Sequence, residues 1–567
     1  MSLEKIHIFV AHVLITAFVF LISSPAPADI SNPKTGFSGL AGTYLSARHA
    51  EAGSSLTRAA NYFVKALQHD PENSGLLRQA YFLNAQIGRI DVAIPYARKS
   101  YENSSRLAIA PLIIAIGHYR DGDYEKAKTY IERMSVRSLN GFALPMLKAW
   151  IFAAVNDRTS ALAAIAPYQD QELTHTTYNI VAGLLMEFFG DKVQAAEHYG
   201  RLAEQRNHSI AELRAVSAAL HRLGRTENAR ELIERYRKSV SPDALSVNYL
   251  NSFADPTYGS QAVTAQLGMA EALFSASQLL LLNNNRGFSA QVSIVYAHLA
   301  LYLNKNFQLA RRVIGATLAA RSFYKESNIV LNEIAHGTPG HIFAQLLIAE
   351  NLERVDRTEE ALKVLRDIAQ QELTIPEPLI SIGDILRRND RFREAVAAYD
   401  EAFDRYPNRE PSEWAVYYTR GIALERAKYW RRAEKDFKKA LELKPDEAIV
   451  LNYLGYSWLA RGENLTKARE MIELAVTKRP EDGFIIDSLG WAMYVMKEYP
   501  EAVTFLERAT DLQPSDPTIN EHLGDAYWKV GRKTEAHFQW RRALSMEPDQ
   551  AQRASIREKL DQGLVQN

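Results

Sequence analysis

Few residues in this chain have the type and spacing that chemistry requires. His336 and His341 flank a Gly-Thr-Pro-Gly turn, and two imidazoles that close could share a cation. A metal site needs three or four ligands, and no carboxylate is arranged beside this pair, so it reads as incidental. Asp121 and Asp123 stand in a turn, where an Asp side chain serves as a cap or turn former. The chain has no cysteine, which excludes disulfides, thiolate metal ligands and cysteine nucleophiles. It has no Gly-rich phosphate loop, no Gly-x-Ser-x-Gly elbow and no His-Glu-x-x-His. No catalytic residue, metal ligand or cofactor is assigned, and the chemistry left to the side chains is recognition.

Recognition needs a scaffold, and the sequence carries a ruler for one. Ala59, Ala93, Ala127, Ala161, Ala195 and Ala229 fall 34 residues apart without slippage. Twelve positions before each stand Ala47, Tyr81, Ala115, Ala149, Gly183 and Ser217, small in five cases of six. Turn signals separate the two members of a pair: Gly88-Arg89, Asp121-Gly122-Asp123, Asn156-Asp157, Gly190-Asp191 and Gly224-Arg225. Small residues across a turn let two helices approach closely, and a fixed period of this length marks stacked helix pairs.

The same ruler is fuller towards the C-terminus. It reads Gly383, Ala395, Ala402, Pro407; then Gly421, Ala433, Phe437, Ala440, Pro445; then Gly455, Ala468, Ala475, Pro480. Two more units follow: Gly490, Ala502, Ala509, Pro514, and Gly524, Ala536, Trp540, Ala543, Pro548. Proline cannot continue a helix and closes each unit. The glycines step by 38, 34, 35 and 34, which places short insertions at Asn408–Pro411 and near Glu463. Ala349 and Ala361 add one further unit.

This pattern resembles the tetratricopeptide repeat family, by small positions and turns in the first half and closely from about residue 376 onward. The resemblance implies an all-α fold, a right-handed superhelical solenoid of about fourteen helix-turn-helix repeats. In that family the first helix of each pair lines a concave groove, three before, one after and four after the small residue. On the matching repeats these positions are Ile380, Asp384 and Arg387; Tyr418, Ile422 and Glu425; Asn452, Tyr456 and Leu459. They continue as Asp487, Trp491 and Tyr494, then Glu521, Asp525 and Trp528. Tyr527, Trp540 and Phe437 fall on the family's core positions. Large aromatics facing a groove bring contact area with little entropy to lose, although Trp491 and Trp528 could equally pack against a neighbouring repeat. The acidic residues outnumber Arg387, so the groove is expected to prefer a protein or peptide segment with basic and apolar residues. The Lys/Asn/Arg clamp that chaperone-binding members use for a C-terminal carboxylate is absent.

Composition and the chain's ends set the remaining expectations. Lys plus Arg and Asp plus Glu are 67 each, so no overall positive footprint exists for nucleic acid or an anionic membrane. The apolar run Ile8–Ile22 followed by Ala26-Pro27-Ala28 predicts a signal peptide over 1–28, cleaved after Ala28, with a linker at 29–42. Retention of that run as an inner-membrane anchor is the other reading. An N-terminal array is expected over 43–240, an irregular region over 241–311, a C-terminal array over 312–548 and a capping helix and tail over 549–567. Leu267–Glu271 looks like the opening of a repeat, and the extra residues read as enlarged connections, with a hinge or a loop folded into the groove as the sharper alternative. The expected function is a non-catalytic binding scaffold, exported to the periplasm or outer membrane of a bacterial envelope. Its rivals are a membrane-anchored assembly factor for envelope or polysaccharide-export machinery and a regulatory solenoid with an enzymatic role in 237–311.

Overall fold

A computed structural model describes residues 39–564 apart from 54, 104–108, 135–140, 170–173, 206–207, 241–243, 260, 284–286, 339 and 407–412. The expected signal peptide and the insertion at Asn408–Pro411 lie outside the described residues. The first helix, Leu40–Ala52, takes in the last three residues of the span read as linker.

The ruler residues decide how helices pair. The six alanines at the 34-residue period are fully buried at 0%. Six glycines of the first helices each face a large side chain sixteen residues on. A Cβ on Gly183, Gly383, Gly421 or Gly524 would come within 2.5–2.6 Å of Tyr199, Tyr399, Phe437 or Trp540. Gly490 meets Leu506 at 2.7 Å and Gly315 meets Leu331 at 2.5 Å in the same way. Each glycine is therefore the hole for its own partner helix's knob. Between the two helices of a pair the chain turns through a left-handed residue, as at Gly122 (φ 81°) and Asn156 (φ 62°). The described residues contain thirty α-helices, arranged as fourteen antiparallel pairs and two single helices, and no strand.

Six pairs from Leu40 to Val240 stack in sequence order, seven from Gln308 to Ser545 do the same, and the remaining pair does something else. Ala265–Asn283 and Phe288–Leu303 form a long hairpin, with the hydroxyls of Ser277 and Ser293 2.8 Å apart at the crossing. The first of these helices lies against Leu144–Ala154 and His175–Phe188, the second against Ser74–Gln86 and Ala110–Arg120. These four are first helices of the N-terminal array, so the hairpin fills that array's inner face. The expected repeat opening at Leu267–Glu271 is corrected accordingly: Gly268 faces the indole of Trp150, 2.1 Å from where its Cβ would be, and not a helix of its own pair. The physical reason is visible in Phe288–Leu303, where every residue from Val292 to Ala300 is buried. A helix apolar all round belongs inside a core and not in one layer of a solenoid.

Polar contacts fasten the hairpin. The Tyr119 hydroxyl lies 3.1 and 2.9 Å from the carbonyls of Trp150 and Ala265. Arg214 meets Glu271 at 2.5 Å, and the Tyr302 hydroxyl donates to Asp91. The next pair, Gln308–Ala320 and Tyr324–Asn332, then packs Ile314, Leu318, Phe323 and Val330 into one cluster with Ala47, Ala50 and Phe63. Glu326 accepts from the backbone N–H of Thr57 at 3.0 Å. The N-terminal half thus closes on itself around its own hairpin. The single helix Ala244–Phe253 bridges onward: Leu245 N–H donates to Glu377, and Tyr249 meets Phe343 edge-on at 5.4 Å.

Candidate partner-binding surface

The C-terminal array begins at His341–Glu353, and its first helices continue with Glu377–Arg388, Trp414–Arg426, Ala448–Arg461, Gly483–Val495 and Pro517–Lys529. Along most of this array successive first helices touch, while successive second helices barely meet. That asymmetry makes the first helices the inner layer of the curve. The residues read from the sequence as groove-facing all stand on it, in two different states.

At the C-terminal end the surface is covered. The single helix Gln550–Gln562 lies on the last pair, and Lys559 reaches Glu521 at 2.6 Å and Asp525 at 2.7 Å. Gln552 and Ser555 also donate to Glu521, Trp540 donates to Asp525, and Gly563 sits on the Trp528 ring. Glu521, Asp525 and Trp528 therefore face the chain's own cap and are removed from the open surface. Burial raises the Asp525 carboxyl above its ordinary range despite Lys559 beside it.

Between them and the junction the inner face is uncovered and half-buried, and its charges are already paired. Asp384 accepts from the Tyr399 hydroxyl at 2.6 Å and has Arg387 at 3.6 Å. Glu425 pairs with Arg461 at 3.3 Å. Asp487 is buried against His522 at 3.0 Å, and although burial alone would depress that imidazole, the carboxylates of Asp487, Asp525 and Glu521 hold it raised. The expected excess of free acid is absent from this face, because each carboxylate has met a cation one repeat away or closer. What remains for contact is aromatic and aliphatic. Trp491 stacks on His522 at 4.0 Å and on Tyr494 at 4.7 Å. Burial pushes the Tyr456 hydroxyl up, with the Asp487 carboxylate adding to it. Tyr418, pushed up to about 12 by burial, meets Tyr453 edge-on at 5.9 Å. The Asn452 side-chain oxygen is buried without a hydrogen-bond partner, and Leu459 is buried in the core.

Sequence reasoning missed His522, Arg461, Lys559 and Tyr453. Arg461 stands 36 residues after Glu425 and His522 stands 35 after Asp487, so pairing opposite charges one period apart would have found two of them. His336 and His341 are engaged internally, with Gln371 at 2.7 Å and the Ile334 carbonyl at 3.2 Å. The described residues of 265–303 form a hairpin packed into the apolar core.

Stacked helix pairs with a glycine-for-knob exchange at a fixed period define an α-helical repeat solenoid. Models of the tetratricopeptide repeat match residues 380–429, 414–447 and 492–531. The TPR repeat-containing protein PA4667 of Pseudomonas aeruginosa is 30% identical over 204 residues, 35% of this chain and 34% of its own. Residues 380–447 and 492–531 thus carry tetratricopeptide repeats. An aspartyl/asparaginyl beta-hydroxylase of Mus musculus is 23% identical over 204 residues, 34% of this chain and 27% of the enzyme. The chain thus spans about a third or less of the curated relatives it matches. Among solved structures, the APC/C hetero-tetramer Cut9-Hcn1 covers 92% of this chain and 96% of its own at 14% identity, with a TM-score of 0.38. YrrB, a TPR protein with an unusual peptide-binding site, covers 34% of this chain and 97% of its own at 18% identity and a TM-score of 0.27.

Proposed function

We propose that the protein is a non-catalytic scaffold that captures a segment of a partner protein on the inner face of its C-terminal array. The observation that carries this is the uncovered stretch from Ile380 to Tyr494, where a rigid aromatic set is held in place by internally paired charges. Stacking fixes Trp491 and Tyr494 before any partner arrives, which reduces the ordering cost of binding. The apolar run Ile8–Ile22 followed by Ala26-Pro27-Ala28 supports export, and the cell envelope is the setting we assign, with an inner-membrane anchor at residues 8–22 as the second reading. Mass spectrometry of the mature N-terminus decides between these: a chain starting at Asp29 removes the anchor.

The function itself is tested by affinity capture from an envelope fraction with the full chain and its Trp491→Ala variant as parallel baits. The expected result is a partner recovered by the first and lost by the second, with circular dichroism unchanged. Equal recovery by both would sink the groove as the binding surface.

A further inference from the structure

Along much of the rest of this solenoid's inner face, a helix of the chain itself lies on it. The hairpin Ala265–Leu303 covers it in the N-terminal array, Ala244–Phe253 meets it at the junction through Leu245 and Glu377, and Gln550–Gln562 covers its last pair. The covering follows a rule at the tryptophans. Trp150 stands one residue after its small position, Ala149, and is fully buried beneath Gly268 of the covering helix. Trp528 is covered by Gly563, at the end of the cap. Trp491 stands one residue after Gly490, the repeat position that Trp150 occupies, and has no covering helix. On the same face Asp384 pairs with Arg387, Glu425 with Arg461 and Asp487 with His522, so the uncovered face offers apolar area with no net charge to match.

We infer that the inner face between Ile380 and Tyr494 receives an α-helix of the partner protein, with an apolar contact face, no net charge on that face, and a glycine or similarly small residue set against Trp491. This rests on the groove reading above and narrows its occupant. An amphipathic helix laid in a groove anchors through residues three and four apart, and a small residue at the crossing lets the backbone approach a large ring closely. The chain's own Gly268 and Trp150 are an instance of that crossing.

The test uses a fluorescent synthetic peptide copying Ala265–Leu282, the 18 residues that solve this crossing in the N-terminal half, extended by two lysines for solubility. Its binding to the full chain is read by anisotropy, against a Glu271→Pro/Ser277→Pro peptide that cannot stay helical and a Gly268→Phe peptide. The expected result is that both altered peptides, and the Trp491→Ala protein, each weaken binding about tenfold or more. Should Trp491→Ala lose helicity, Ile422→Arg and Tyr456→Glu on the same face are expected to give the same loss. No binding of the helical peptide, or equal binding of the proline-broken one, overturns the inference. A photo-reactive residue placed at Tyr456 separates the two readings. Cross-links to an extended, proline-interrupted segment that still depend on Trp491 would end the helix inference and leave the groove standing. Partner binding independent of Trp491 would end both.

Discussion

Lys559 holds two nearly buried carboxylates at once, and that makes it the most consequential charge in the C-terminal array. The Glu521 and Asp525 side chains are 11% and 6% exposed, so water can do little for them if the cation goes. Removing one partner of a buried pair leaves an uncompensated charge, which costs about 3–5 kcal/mol. Lys559→Met keeps the apolar stem and removes the charge. We expect it to lose about 3 kcal/mol in denaturant melts, with most of that loss recovered when Glu521→Gln and Asp525→Asn are added. A full loss persisting in the triple variant would mean the cap is held by shape and not by charge. His522 makes a second, pH-dependent prediction. It is faced by Asp487 from Gly483–Val495, by Glu521 and Asp525 from its own helix and by Trp491 above it, and Lys559 of the cap is bound to Glu521 and Asp525. Its folded-state pKa is raised, so its pairing contributes fully below the ordinary imidazole value and is lost as pH rises through the raised one. The stability gap between the wild type and His522→Asn is therefore expected to be largest near about pH 6 and smaller near about pH 9. A gap of the same size at both would show that the imidazole pKa does not change on folding.

At the scale of the helix pair, the ruler makes opposite predictions for two neighbouring residues. A Cβ on Gly490 would lie 2.7 Å from the Leu506 side chain and 3.2 Å from its backbone nitrogen, so the second helix must give way. Overpacking costs about 1–3 kcal/mol, more than the roughly 1 kcal/mol that alanine gains over glycine inside a helix. Gly490→Ala is expected to lower the melting temperature of the C-terminal array. Lys497, in the turn of the same pair, sits at φ 69°, a conformation that costs a side-chain residue about 1–2 kcal/mol. Lys497→Gly is expected to raise it, and a fall would mean that the Lys497 side chain has a contact worth more than the strain. These pairs were legible because their signals are local: a small residue, a turn, a second small residue twelve positions on, as at Gly490 and Ala502. The hairpin was not, because its register is set by Trp150, more than a hundred residues before Gly268. Its local sign was the apolar run from Ile294 to Ala297, which a stripe-seeking reading passes over. The charge of the groove was misjudged for a related reason. Counting acids along first helices leaves out Arg461, His522 and Lys559, which arrive from the following pair or the cap.

Across the whole molecule, the two halves are built to unfold differently. From His341 to Gln562 each pair contacts its neighbours in sequence, and stability in such an array is close to a sum of local terms that can fray from an end. The N-terminal half has a second, non-local set of contacts: the hairpin touches first helices of four pairs, and Gln308–Asn332 joins the chain's first described pair. Opening any one repeat there uncovers part of the hairpin's apolar surface, which couples all of them into one cooperative unit. Hydrogen exchange is therefore expected to show uniform protection across the N-terminal repeats and a graded loss towards Gln562 in the C-terminal ones. Gly268→Leu concentrates this difference in a single residue. Its side chain would collide with the Trp150 ring, where even a Cβ falls at 2.1 Å. Forcing the hairpin off its seat should cost about 1–3 kcal/mol and raise exchange in all the repeats the hairpin touches together. Among the described residues, no helix from Glu377 to Leu512 is packed on that hairpin, and these helices are expected to keep their wild-type exchange. Protection lost only at Leu144–Ala154 would show the hairpin to be a passive filler, and loss spreading through both halves would show one cooperative body.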